Sequence, residues 1–406
     1  MKRFIPFLLI IVFASFYYNY LQEGTSSSLE PALLEKKGEF FPATATAPAI
    51  QLKGTYVSLI DAETGQLLYG KNSEKEAPMA STTKIMTSIL ALESGRTSET
   101  VTASSKASSM PKVHLGMKKG ETFLLSDLLY SLMLESHNDS AVAIAEHLEG
   151  SVESFAKKMN EKAKKLHMMH TNFVTPNGLD ANGHHSTAYD MCLLGGYAIK
   201  SKDFLSLIQT PSHTFTSPSS GRTFSVSNKD AFLSIYEGAL GIKTGFTNKA
   251  GYCFVGAAKR DNRTFVSATL ASGWPPNKSY KWQDTKALMD FGFTYYKKKE
   301  LPTKDLSYLK IPVKNGISEE NIQNPVVSCK VDTPPSLLLS EFDSIRVEYR
   351  IADELQAPVK TTVIIGYIDY YINDKKAFSR SVYPDQNVRK VRYIDILKSI
   401  FHIFLQ

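Results

Sequence analysis

Apolar positions change their spacing several times along the chain, and those changes divide it. Phe4 to Tyr18 is almost continuously apolar behind Met1-Lys2-Arg3. Residues 23–50 hold Thr25-Ser26-Ser27-Ser28 and the stretch from Pro42 to Pro48, with no apolar period, and read as a linker. Tyr56 to Ile60 then reads as a strand, Asp61 to Gly65 as a turn, and Gln66 to Tyr69 as the returning strand. Ser81 to Leu92 has helical spacing and is closed by Gly95. Ser126 reads as the cap of a helix that buries Leu128, Leu129, Leu132 and Met133; Asp139–Leu148 and Ser154–Leu166 are further helices. Tyr252–Ala258 and Thr264–Leu270 flank the turn Arg260-Asp261-Asn262, and a last helix spans Tyr280 to Phe291. Strands at both ends of residues 51–299 with helices between them predict an α+β domain, an antiparallel sheet covered by helices. Residues 300–388 predict a small β-rich domain, with strands at Leu306–Ile311, Pro325–Lys330, Ser344–Tyr349, Thr361–Tyr370 and Phe378–Tyr383.

Both ends carry membrane signals. The cationic start and apolar run of residues 1–22 read as an export signal. Ser15-Phe16-Tyr17-Tyr18 is bulky where a small-x-small cleavage site would follow, so the segment is either a signal peptide or a retained anchor, short for a full span. From Tyr393 to Gln406, Asp395, Lys398, Ser399, His402 and Gln406 fall on one helical stripe with apolar residues around the rest, behind Arg389, Lys390 and Arg392. Residues 389–406 thus read either as a basic amphipathic helix for a lipid headgroup layer or as a helix docked on its own protein.

Composition is ordinary for a globular protein: 406 residues, 43% hydrophobic and 21% charged. The net charge of +7 fits either a mildly basic surface or attraction to anionic lipid and wall polymers. No basic stripe is interleaved with aromatics, which argues against nucleic acid. Cys192, Cys253 and Cys329 lack metal-ligand spacing and read as buried thiols; no cofactor or metal is expected.

Three peptides carry candidate chemistry: Ser81-Thr82-Thr83-Lys84, Ser136-His137-Asn138 and Lys243-Thr244-Gly245. S-x-x-K also fits Ser109–Lys112 and Ser154–Lys157, so it is weak alone, but S-x-N and K-T-G each occur once. Residues i and i+3 of a helix are neighbours, which sets the Lys84 amine beside the Ser81 hydroxyl. Serine needs a base to become a nucleophile, and Lys84 can be that base only when neutral, through desolvation or a nearby cation such as Lys243. A helix start offers N–H groups for an oxyanion. Ser136 and Asn138 can relay protons and hold a substrate amide; Lys243 and Thr244 can bind a carboxylate beside a glycine that permits close approach. Singly, each peptide also has a plain reading: Ser81 as a cap with Lys84 solvated, Ser136 and Asn138 as turn residues, Lys243 as an edge-strand lysine. Together and in order they match the signatures of penicillin-binding proteins and serine β-lactamases.

On these motifs the chain resembles the low-molecular-mass penicillin-binding proteins, specifically the D-alanyl-D-alanine carboxypeptidases. Leu59–Gly65, Ala80–Thr87, Asn177-Gly178-Leu179-Asp180 and Gly241–Thr247 extend the resemblance. It implies a transpeptidase/β-lactamase-like domain followed by a β-domain, and attachment to the outer face of the cytoplasmic membrane through the terminal helix. It implies an acyl-enzyme on Ser81, with Lys84, Ser136 and Asn138 catalytic and Lys243, Thr244, Gly245, Phe246 and Thr247 binding substrate. It also implies a basic residue for the terminal carboxylate, aligned with Lys281 or, alternatively, Lys278. The implied substrates are peptidoglycan stem peptides ending in D-Ala-D-Ala, with β-lactams acylating the same serine. Ser186-Thr187-Ala188-Tyr189-Asp190 departs from the family's basic residue at Tyr189, which bears on local packing. A serine β-lactamase is the first alternative, weakened by the lack of Glu-x-x-Leu-Asn between Asn138 and Lys243. A non-catalytic wall-binding protein is the second, opposed by the intact Ser81, Lys84, Asn138 and Lys243.

Overall fold

A computed structural model describes residues 33–302, 305–317, 325–332 and 337–398. The apolar start and residues 399–406 of the expected terminal helix lie outside the described residues. The described residues form two compact units: Pro48–Lys297, and a second built from those of 298–398 together with 33–47.

The first unit centres on a five-stranded antiparallel sheet. Its strands are β1 (Tyr56–Asp61), β2 (Leu67–Lys71), β3 (Ala239–Thr247), β4 (Gly251–Arg260) and β5 (Arg263–Leu270). Their spatial order is β2-β1-β5-β4-β3, so β3 forms an edge. The helices are α1 (Lys84–Glu93), α2 (Leu125–Tyr130), α3 (Asn138–Glu149), α4 (Val152–Lys165), α5 (Ala188–Ala198), α6 (Lys202–Gln209) and α7 (Tyr280–Tyr295). Alternation along the strands separates two covers: Gly292 of α7 packs against Leu59 and Phe265, while Gly195 of α5 packs against Val255 and Val266 of the opposite face.

Several local expectations change. Ser81 does not cap a helix: Ala80–Thr83 form a 3-10 turn that leads into α1 with no side-chain cap. Ser126 lies inside α2, which starts where the Leu125 and Ser126 amides bond to the carbonyls of Glu99 and Thr97. Ser151, three residues before Ser154, caps α4. Helix α5 was not legible because it is apolar on most sides; it buries Met191, Cys192 and Leu194. Tyr189, at its start, donates its hydroxyl to the Gly65 carbonyl at 3.1 Å, while Asp190 accepts from the His170 amide and the Thr171 hydroxyl.

In the second unit the linker expectation fails for Leu33–Phe41, a strand paired antiparallel with Ile345–Ala352. Its hydrogen-bond partners lie far along the chain, so local periodicity could not reveal it. This strand edges a seven-stranded sheet continuing through Gly366–Ile372, Lys375–Pro384, Val326–Val331, Lys310–Lys314 and Leu355–Gln356. The strand expected at Leu306–Ile311 starts only at Lys310, after a turn, and the one expected at Thr361–Tyr370 starts at Gly366. Val347, Ile351, Ile368, Tyr370 and Val382 fill its core. A helix begins at 393–398. Arg389 binds the Asp395 carboxylate through both terminal nitrogens, at 2.5 and 2.9 Å, and the Arg392 amide adds a third bond. The basic cluster before the terminal helix is therefore partly neutralised by its own first turn. Among the described residues no helix is long and apolar enough to cross a membrane. Cys192, Cys253 and Cys329 are all buried.

Candidate active site

The turn Ala80–Thr83 is held from outside the helix that follows it. Ala80 has φ of 47°, a left-handed conformation costly for a residue with a Cβ, and Gly178 packs directly on its carbonyl. A Cβ built on Gly178 would lie 2.0 Å from the Ala80 oxygen, so only glycine fits there, and its φ of +83° demands glycine as well. The segment Thr175–Leu179 is thus pressed against the serine turn.

Lys84 is fully buried one turn after Ser81. Its amine donates to Ser81 Oγ at 2.9 Å, to Asn138 Oδ1 at 3.0 Å and to the Asn177 carbonyl at 2.6 Å. These three acceptors complete its donor capacity. Burial pushes the Lys84 amine well below the usual lysine range, and the charge of Lys243 pushes it further; Asp139 opposes both. The amine is therefore shifted toward the neutral form a base requires, and it already touches the hydroxyl.

Ser136 and Asn138 are set by a break between helices. Ser131–Glu135 form a π-type turn ended by Ser136 in the left-handed region, φ 70°. The Asn138 amide donates to the Val113 carbonyl at 2.8 Å, and its side-chain nitrogen to the Pro111 carbonyl at 3.3 Å, which leaves Oδ1 for Lys84. Asp139 accepts the amides of Leu115, Gly116 and Met117 and so ties the same loop to α3. His137 is buried, bonded through Nδ1 to the Ser131 hydroxyl at 2.8 Å.

The edge strand β3 brings Lys243, Thr244 and Gly245 to this centre. A Cβ on Gly245 would lie 3.0 Å from the Ser81 amide nitrogen and 3.1 Å from that of Thr82. The strand therefore touches the backbone of the serine turn. Lys243 is buried, its amine reaching the Thr244 carbonyl at 3.3 Å; burial takes it down to about 8 against the opposing charge of Asp230. Phe246 is partly exposed and packs on Tyr252 with ring centres 4.7 Å apart. Thr247 donates to Asp180 at 3.0 Å, which binds the end of β3 to the Asn177–Asp180 segment. Lys281 is buried, donates to the Lys278 carbonyl at 2.8 Å, and lies over the rings of Tyr252 and Trp282. Burial and the Lys278 charge lower it to about 8.

Ser81, Lys84 and Asn138 thus share hydrogen bonds, and Gly245 joins them through the backbone. Lys281 sits against Tyr252, the ring neighbour of Phe246. Sequence reasoning quoted Asn177 and Asp180 only as matched stretches and passed over Asp139 and Asp230. Asn177 acts through its backbone carbonyl, which no side-chain motif announces. Among the described residues no cluster of metal-binding side chains occurs.

A serine in contact with a buried, deprotonation-prone lysine beside a glycine-bearing edge strand defines a serine acyl-transfer enzyme of the penicillin-binding fold. The chain belongs to the D-alanyl-D-alanine carboxypeptidase family (Peptidase_S11), which matches residues 42–273. It is 30% identical to D-alanyl-D-alanine carboxypeptidase DacF of Bacillus subtilis over 84% of this chain and 87% of that one. It is 28% identical to DacA of Escherichia coli K12, over 85% and 87%. A D-alanyl-D-alanine carboxypeptidase structure from Mycobacterium tuberculosis superposes with a TM-score of 0.58 at 31% identity, covering 62% of this chain and 96% of that one. Penicillin binding protein 5 of Haemophilus influenzae shares the fold over 85% of this chain and all of its own, with a TM-score of 0.67 at 23% identity.

Proposed function

We propose that this enzyme removes the terminal D-alanine from peptidoglycan stem peptides ending in D-Ala-D-Ala, through an acyl-enzyme on Ser81. The observation that carries this reading is the buried Lys84 amine 2.9 Å from Ser81 Oγ. Neutral Lys84 takes the hydroxyl proton as Ser81 attacks the carbonyl of the penultimate D-alanine. The developing oxyanion is met by the Ser81 amide and the edge of β3, and one such donor typically contributes on the order of 3 kcal/mol. Collapse breaks the C–N bond, and the departing amine takes a proton returned from Lys84 by way of Ser136. Water then attacks the ester, with Lys84 again as base, releasing the shortened peptide and restoring the serine. Lys243, Thr244, Thr247 and Lys281 receive the terminal carboxylate, while Asn138 and Phe246 border the peptide. A β-lactam, with its own carboxylate and strained amide, acylates the same serine. The enzyme acts on the outer face of the cytoplasmic membrane, held on the lipid surface by its basic C-terminal segment.

The test is covalent labelling by a fluorescent penicillin together with D-alanine release from a stem pentapeptide. Both are expected for the native chain and absent in Ser81→Ala, which should fold and melt within about 1 kcal/mol of native because only a surface-lining hydroxyl is lost. Acylation of Ser81→Ala would remove Ser81 from the nucleophile's role.

A further inference from the structure

Asp230 is a carboxylate of this unit outside the reaction described above. Asp230 lies just before the helical turn Phe232–Ile235, and its Oδ1 accepts the Phe232 amide at 3.0 Å. Its Oδ2 is buried and has no hydrogen-bond partner among the described residues. That oxygen is aimed at β3: it lies 3.5 Å from where a Cβ would sit on Gly241. Along a strand, residues two apart share a face. Gly241, Lys243 and Gly245 therefore point the same way, and Gly245 meets the serine turn on that face. Asp230 thus occupies the upstream end of the strip whose downstream end is the catalytic serine, with Lys243 between.

We propose that Asp230 is a positioning residue of this site, whose carboxylate is the counter-charge that keeps Lys243 and Lys281 protonated to receive the substrate's terminal carboxylate. The proposal rests on the carboxypeptidase reading above. Lys243 and Lys281 are both buried, and among the described residues neither forms an ion pair within salt-bridge distance. Two buried amines without a counter-ion lose protons readily, because burial disfavours charge. Asp230 is the one acid acting electrostatically on Lys243, and it acts on Lys281 too, raising both. Burial in turn pushes the Asp230 carboxyl up to about 7, and the two lysines hold it down. The neighbouring Lys229 is engaged elsewhere, 3.2 Å from Glu135. The charges that act on Asp230 are those of Lys243 from β3 and Lys281 from α7, while apolar Ile208 of α6 packs over Gly241 beside it; Lys243 is also acted on by the Lys84 amine. An orphaned buried carboxylate oxygen costs stability, and such costs persist where a site uses them.

The experiment is a pH profile of kcat/KM for D-alanine release from a stem pentapeptide, comparing native enzyme with Asp230→Asn and Asp230→Glu. Asparagine keeps an oxygen for the Phe232 amide and removes only the charge. Without that charge Lys243 loses its proton at lower pH, so the alkaline fall of Asp230→Asn should move downward by on the order of one pH unit. Asp230→Glu, which restores a carboxylate, should return the fall toward the native position. The melting temperature of Asp230→Asn should equal or exceed the native value, since a buried unsatisfied charge is gone; a merely structural aspartate would give a lower melting temperature and an unmoved limb. An alkaline limb in Asp230→Asn that coincides with the native one overturns the proposal. Penicillin labelling of the native enzyme is run alongside: its absence refutes the carboxypeptidase reading itself, whereas labelling with an unmoved limb refutes only the role of Asp230.

Discussion

Gly245→Ala isolates the contact between β3 and the serine turn. The added methyl carbon would stand 3.0 Å from the Ser81 nitrogen, 3.1 Å from the Thr82 nitrogen and 3.1 Å from the Ala80 Cβ. Ordinary contact for such atoms begins near 3.4 Å, so the strand must retreat by several tenths of an ångström from backbone that cannot yield cheaply. The retreat is directed along the line between the Ser81 amide and β3, the two walls proposed for the oxyanion. A shift of about 1 Å in catalytic geometry can cost around 100-fold, so this smaller one should lower the second-order acylation constant roughly 10- to 100-fold, or about 1.4–2.7 kcal/mol of transition-state stabilisation. Overpacking should also reduce stability by about 1–3 kcal/mol. Acylation is followed with a fluorescent penicillin over a concentration series, and stability by thermal melting. An alanine variant that acylates at the native rate would falsify the contact as part of the oxyanion wall. A loss of melting temperature with native acylation would assign Gly245 to packing alone.

Other outcomes follow from the same geometry. Acylation should rise with pH as Lys84 sheds its proton; because Lys243 lowers Lys84, Lys243→Gln should move that rise to higher pH, and a move to lower pH would contradict the sign. Lys84→Arg, which cannot deprotonate in this range, should acylate at a small fraction of the native rate at neutral pH; a native rate would leave Lys84 as an electrostatic support only. Lys281→Gln should depress turnover of peptides ending in a free carboxylate far more than of amidated ones, a difference of roughly 1.5–3 kcal/mol; equal losses would transfer the role to Lys278. Removal of residues 393–406 should release an N-terminally processed protein from anionic vesicles in a sedimentation assay, and persistent salt-insensitive binding would contradict the role given to that helix.

The chemistry of this chain was more legible than its architecture. Ser81 and Lys84 are three residues apart, and any helical turn brings such residues together, so the 2.9 Å contact was implied before the fold was known. The glycine inside the strand pattern of Lys243-Thr244-Gly245 implied a close approach, and Gly245 does meet the backbone of the serine turn. The partners that complete the site were not. Asn177 contributes a carbonyl, and Asp139 collects amides from a loop more than twenty positions earlier, with |i−j| of 24 to Leu115. Such roles leave no periodic trace. Helix α5 escaped for a related reason: it touches core on nearly every side, so it has no polar stripe to betray its period. The hairpin Ser212–Thr216 with Thr223–Ser227 escaped because only Phe215 and Val226 are buried in it, among serines and threonines that also suit loops.

The strand Leu33–Phe41 has a consequence for biogenesis. Glu39 of this strand meets Tyr349 across a separation of 310 positions. A chain that emerges from a channel N-terminus first therefore delivers one edge of the β-rich unit long before the strand that receives it. The intervening unit, Pro48–Lys297, has its own core and most of its contacts within itself, so it can close while the early strand waits unpaired. An unpaired strand is a template for association with other chains, and long-range pairing is slow to form. Glu39 within the strand, and Gly38 at its bulge, supply a charge and an irregularity that discourage such association. The order of emergence thus makes the catalytic unit independent of its companion in time, while the companion is completed only when nearly the whole chain has passed.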